Sequence, residues 1–222
     1  MRAEGAVLRL SGAGDRFHRE QRRMLDSAFD FVTYSKVDGD YLEFGVFQGK
    51  TFAAAWDAAR RHGRDDMRFF AFDSFRGLPD PAISPVDAGG EFEAQEFSSD
   101  RLTFDKALRR GGVDPSRVQV VAGFYDQSLP AHPPASLGLE AAAIVWIDCD
   151  LYSSTVPVLD YVTDLLGDGS ILVFDDWHCF YSRPDRGEQR ACREWLDQHP
   201  DVRLVEYRDF HWAGRSFVVN RG

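Results

Sequence analysis

The stretch from Ile144 to His178, IVWIDCDLYSSTVPVLDYVTDLLGDGSILVFDDWH, constrains the fold more than any other part of the chain. Two continuous apolar runs each end in acids, Asp148 and Asp150 after the first, Asp175 and Asp176 after the second. A run that is apolar without alternation suits a parallel strand covered on both faces. Between the runs, Ser153, Ser154 or Thr155 can cap a helix and Pro157 is tolerated in its first turn. Val156, Leu159, Val162 and Leu166 lie along one side of that helix, and Gly167 and Gly169 are expected to end it before a strand from Ser170 to Phe174. Such a strand–helix–strand unit brings two pairs of carboxylates to one edge of a sheet. Carboxylates gathered there repel one another unless a cation compensates.

The same construction recurs upstream. Asp40 to Thr51, DYLEFGVFQGKT, reads as a strand, a glycine-rich turn and the start of a helix running to Arg61. Gly45 and Gly49 allow a ligand close to the backbone, and the following helix offers free N–H groups. The phosphate-binding pattern GxxxxGK[ST] is not met, because only three residues separate Gly45 from Gly49 and Phe44 stands where its first glycine belongs. Glu43, at the end of a buried strand, suits a positively charged ligand group better than a phosphate. Met67 to Asp73, MRFFAFD, is the next strand. An acid at such a strand tip commonly accepts from a ribose diol, and Asp73 is read either so or as a turn residue.

Elsewhere the pattern is coarser. Residues 1–16 are expected to form a loose arm, Phe17 to Lys36 a helix, Ser99 to Arg110 a helix and Arg117 to Ala122 a strand. Tyr125 and Asp126 fall in an expected turn before Pro130. Gly187 to Gln198 suggests a helix, and Val202 to Tyr207 with Arg215 to Val219 an antiparallel pair. The segment 76–100, rich in glycine and proline, lacks periodicity and is expected to be a lid or substrate loop. Alternating strands and helices predict an α/β chain with a mostly parallel sheet, helices on both faces and a C-terminal antiparallel hairpin.

With 222 residues, 44% of them hydrophobic, the chain can bury one substantial core, so a single domain is expected. A formal charge of −10 argues against nucleic acid. No signal-peptide or membrane-span pattern is present, which predicts a soluble, cytoplasmic protein without a membrane partner. Cys149, Cys179 and Cys192 lack CxxC spacing and read as reduced thiols.

Four elements in order, Glu43-Phe-Gly-Val-Phe-Gln-Gly49, Asp73-Ser-Phe-Arg-Gly-Leu-Pro79, Asp148-Cys-Asp-Leu-Tyr-Ser-Ser-Thr155 and Asp175-Asp176, resemble the macrocin O-methyltransferase family from about Tyr34 to His178. The resemblance implies a Rossmann-like class I methyltransferase fold with a seven-stranded sheet. It also implies S-adenosylmethionine and Mg²⁺ as cofactors, and a hydroxyl of a sugar, glycoside or polyol as acceptor. Self-association into a homo-oligomer is left open. On this resemblance Glu43, Gly45, Gly49, Thr51, Asp73 and Ser74 form the cofactor set, and Asp148, Asp175 and Asp176 hold the ion. Asp148 is then the expected general base and Asp150 its rival, since residues two apart on an extended chain face the same way. Adjacent Asp175 and Asp176 reach one ion only if the strand ends there. Cys149 stands where the family usually has glycine. His178 is either an auxiliary base or a hydrogen-bonded neighbour, and Trp177 and Trp212 are expected core or crevice walls. Two other readings compete: a nucleotide hydrolase, because SILVFDD resembles a Walker B strand, and a non-catalytic binding domain.

Overall fold

The computed structural model describes residues 13–222, built around one seven-stranded sheet. Strand β1 (Asp40–Phe44) pairs in parallel with β2 (Phe69–Asp73) on one side and β4 (Ala142–Ile147) on the other. Strand β3 (Val118–Ala122) lies outside β2, and β5 (Leu166–Phe174) outside β4. Strand β7 (Gly214–Arg221) runs antiparallel against β5 and carries β6 (Val202–Phe210) at the edge, giving the order β3-β2-β1-β4-β5-β7-β6.

Every residue of β1 and β4 is buried; β4 is an unbroken apolar run, and β1 is apolar apart from Asp40 and Glu43. Their side chains alternate between two cores. Tyr41, Ile144 and Trp146 pack with Met24, Leu25 and Phe29 of α1 (Ala13–Tyr34), Phe52 and Trp56 of α2 (Lys50–Arg61), and Phe104 of α3 (Arg101–Arg110). Leu42, Phe44, Val145 and Ile147 face the opposite way. They meet Leu129 of α4 (Tyr125–Ala131), Val158 and Leu159 of α5 (Tyr152–Val162), and Trp195 of α6 (Gly187–Gln198).

Several local expectations are corrected. The helix expected from Phe17 already begins at Ala13, within the expected arm; the remainder of that arm, residues 1–12, lies outside the described residues. The turn expected at Tyr125 and Asp126 is helix α4, with Pro130 near its end. Strand β5 starts at Leu166, earlier than Ser170, because the β4–β5 register breaks between Ala142 and Ile144 and the extra residues are absorbed at Gly167 to Ser170. Gly169, at φ +85°, makes that bulge possible.

The N-terminus of α5 is capped neither by Ser153, Ser154 nor Thr155. Tyr152 and Ser153 donate their backbone N–H groups, at 2.9 and 3.1 Å, to the two carboxylate oxygens of Asp87. Asp87 belongs to the irregular 76–100 segment, where Pro81–Ile83 forms one short 3₁₀ turn, and it is 1% exposed. Arg186 holds the same stretch through the carbonyl of Val86. Replacing Asp87 by Ala is expected to cost about 1 kcal/mol of cap, lowering Tm by roughly 2–4 °C. It should also speed proteolytic cleavage within residues 76–100; cleavage at an unchanged rate would show that the cap does not anchor the segment.

Candidate active site

The chain adds β2 and β3 on one side of β1 and then crosses to place β4 on the other, so the carboxyl ends of β1 and β4 form the topological switch point, the place of the ligand crevice in open α/β sheets. The ladder continues past the strands there. Asp148 N–H donates to Phe44 O at 2.8 Å, and Asp175 N–H to Ile147 O at 2.9 Å. Gly45 sits in this junction at φ +91°, and a Cβ on it would stand 1.9 Å from the carbonyl oxygen of Asp148. Contact between two strand ends therefore already demands glycine at this position.

Asp148, Asp150 and Asp176 each offer an oxygen within 4.8 Å of the others. Asp150 is not extended; it adopts φ +60°, a left-handed turn that carries the chain into α5. Asp175 is not part of this trio. Because the ladder bond to Ile147 keeps β5 extended through Asp175, the two adjacent acids diverge, as alternation requires. Gln21 of α1 donates its amide N–H to both Asp175 oxygens, at 3.1 and 3.2 Å. His211, between β6 and β7, lies 3.3 Å away through Nε2. Its Nδ1 accepts backbone N–H groups of Ala213 and Gly214 at 3.0 and 3.2 Å, so the ring proton sits on Nε2 and is donated to Asp175. Phe17 stacks on the His211 ring at 4.0 Å.

Burial drives the carboxyl groups of Asp148 and Asp150 well above the usual range, and the charges of neighbouring acids add to it. Asp176 is pushed up to about 7, by burial first and by the charge of Asp175 next. Its ordinary value is 3.8, so the folded chain holds this proton more tightly than the unfolded chain. Without divalent ions, the stability contributed by the Asp176 proton should therefore fall as pH rises from about 4 to about 7, and be gone above that. In chelator, the Tm is expected to be higher at pH 6 than at pH 8, and the difference should shrink in Asp176→Asn. A pH response identical in that variant would sink this assignment.

The expected cofactor residues line the neighbouring strand ends. Glu43 is fully buried, takes the hydroxyl of Tyr41 at 2.5 Å on Oε2, and leaves Oε1 without a partner. Asp73 accepts from Val46 and Phe47 N–H on Oδ2, at 2.8 and 3.0 Å, and from Phe75 N–H on Oδ1 at 2.6 Å. It thus ties the glycine loop to β2 and keeps acceptor capacity on Oδ1. Ser74 accepts from Arg76 N–H and donates to Gly77 O, and it lines a cavity of about 170 Å³ with Gly123 and Phe124. Gly49, at φ +75°, presses on Phe104, and Thr51 is half-buried in the first turn of α2. His178 lies outside the acidic trio, its Nδ1 2.9 Å from the Ser182 hydroxyl and its Nε2 3.7 Å from Asp209. Trp177 packs on Phe174 and Phe217 as a wall, while Trp212 is exposed.

Gln21, His211 and Glu188 went unnoticed in the sequence. Glu188, in the first turn of α6, accepts the backbone N–H of Asp176 at 3.0 Å. No local pattern marks these three, because each reaches the site from a distant element.

The profile of the macrocin O-methyltransferase family matches residues 17–199. The chain belongs to that family. It is 28% identical over 188 residues to mycinamicin III 3''-O-methyltransferase of Micromonospora griseorubida, covering 82% of this chain and 65% of that enzyme. It is 27% identical over 157 residues to 8-demethyl-8-(2,3-dimethoxy-alpha-L-rhamnosyl)-tetracenomycin-C 4'-O-methyltransferase of Streptomyces olivaceus, covering 69% of this chain and 58% of that one. The matches thus span less than two thirds of these relatives' length. Among solved structures, the O-methyltransferase NovP superposes with a TM-score of 0.73 at 20% identity, covering 91% of this chain and 80% of NovP. The shared fold is the class I methyltransferase fold, and this chain finishes its seven-stranded sheet with a C-terminal antiparallel hairpin. Among the described residues, no helix is long and apolar enough to cross a membrane.

The residues present fit the two groups that this family implies. For a cation, the trio offers oxygen alone, which suits Mg²⁺, and Asp176 Oδ2 is buried with no hydrogen-bond partner. For a cofactor with a cationic end, the orphaned Oε1 of Glu43 lies at the end of β1, beside the crevice.

Proposed function

We propose that this chain is an S-adenosylmethionine- and Mg²⁺-dependent O-methyltransferase acting on a hydroxyl of a sugar, glycoside or polyol. The observation that carries the proposal is the convergence of Asp148, Asp150 and Asp176 beside the β1–β4 crevice in a member of this family. The names of the two relatives above place their methyl groups on hydroxyls of glycosylated natural products, which supports the acceptor class.

S-adenosylmethionine supplies a methyl group on a sulfonium, and Mg²⁺ bound by Asp148, Asp150 and Asp176 supplies Lewis-acid stabilisation of a developing alkoxide. Glu43 would hold the cationic end of the cofactor, and Asp73, through the spare acceptor capacity of Oδ1, would hold its ribose. Gly45 and Gly49 keep the intervening loop tight. Asp148 takes the hydroxyl proton, because it is the partly exposed acid of the β4 pair, whereas Asp150 is 6% exposed. A general base must lie within reach of the proton that it removes. Burial serves this role, since a raised proton affinity brings a carboxylate closer to that of its substrate.

The direct test incubates the whole chain with S-adenosylmethionine, Mg²⁺ and a panel of glycosides, and follows S-adenosylhomocysteine by mass spectrometry. Product should form with at least one glycoside and vanish in chelator. Turnover unchanged in chelator would remove the cation from the reading, and failure to bind S-adenosylhomocysteine by calorimetry would remove the cofactor.

A further inference from the structure

Glu188 is an acid for which the chemistry above has no use. It is 1% exposed, and its Oε2 accepts the backbone N–H of Asp176 at 3.0 Å. Its Oε1 is buried with no hydrogen-bond partner. Asp176, Asp175 and Asp150 are its charged neighbours, and together with burial they hold its carboxyl well above the usual range. Among the described residues, it forms no ion pair with Lys, Arg or His.

A plain helix-end role does not balance this placement. A carboxylate in the first turn of a helix gains a little from the backbone dipoles. A buried acceptor left unpaired costs more than that gain, and more still when charged. The deficit is removed by a positive charge placed where the acids meet.

We propose that Glu188 is the fourth carboxylate of the divalent-cation site, a positioning residue. It fixes Asp176 through one oxygen, and the ion balances the charge on the other. This inference rests on the cation reading of the proposed function.

Mn²⁺ binding to the whole chain, measured by calorimetry without cofactor or acceptor, tests it. Glu188→Gln keeps the size of the side chain and an oxygen able to accept from Asp176 N–H, so only the charge is lost. Mn²⁺ affinity is expected to fall about tenfold or more, while S-adenosylhomocysteine affinity stays within about twofold. Glu188→Asp, which keeps the charge on a shorter side chain, should retain more Mn²⁺ affinity than Glu188→Gln. Equal Mn²⁺ affinity in wild type and Glu188→Gln, or the reverse order of the two variants, overturns the proposal and leaves the cation reading standing. Absence of Mn²⁺ binding by the wild-type chain overturns both.

Discussion

Asp148→Asn is expected to lower kcat about a thousandfold while S-adenosylhomocysteine binds within a few-fold of wild type. The variant keeps the shape of the side chain and its backbone bond to Phe44, so the strand end stays in place. What it loses is a negative oxygen for the cation and an acceptor for the hydroxyl proton, and a positioned base is worth about 10²–10⁴ in rate. The companion Asp150→Asn separates the two duties. On the assignment above, Asp150→Asn loses Mn²⁺ affinity and turnover together. If instead it binds Mn²⁺ like wild type and still loses turnover, the proton goes to Asp150. Retained turnover in Asp148→Asn would sink the assignment of both base and ligand.

Gly45→Ala should do more damage than any other glycine substitution at this edge. The new methyl carbon would stand 1.9 Å from the Asp148 carbonyl oxygen, on backbone that cannot swing aside as a side chain does. Positive φ adds about 1–2 kcal/mol for a residue with a side chain, and overpacking about 1–3 kcal/mol. A fall in Tm of about 10 °C follows for a chain of this size. Gly63→Ala is the control: at φ +70° with nothing within 4 Å of its Cβ, it carries the strain without the collision. Its Tm should fall by only about 2–8 °C. Equal losses in the two variants would show that backbone strain, not the β1–β4 junction, sets the effect.

The fold was legible because buried parallel strands announce themselves. The runs at β2 and β4 are apolar on both faces, that at β1 is so apart from Asp40 and Glu43, and each ends in an acid or glycine that fixes where the strand stops. The strand ends that carry the candidate site were legible for the same reason. Which acids would meet was not. Asp175 and Asp176 are equivalent in the sequence, and their separation depends on whether the β5 ladder survives one more residue. That is settled by a bond to Ile147 and by Gln21 and His211, which come from opposite ends of the chain. The cap of α5 was misread for a related cause: Ser153, Ser154 and Thr155 offered a local solution, and tertiary packing supplied Asp87 in their place. Thr155 spends its hydroxyl on the carbonyl of Leu151.

That borrowed cap bears on any attempt to change the acceptor of the proposed methyltransferase. The irregular stretch between β2 and α3 looks like a cassette that could be exchanged between relatives to change the acceptor. Its one buried carboxylate, however, caps the helix that follows the β4 acids, so a graft lacking Asp87 would loosen the candidate site along with the segment itself. Grafts should be cut on either side of Asp87, leaving that residue and its Arg186-held neighbour Val86 as fixed framework.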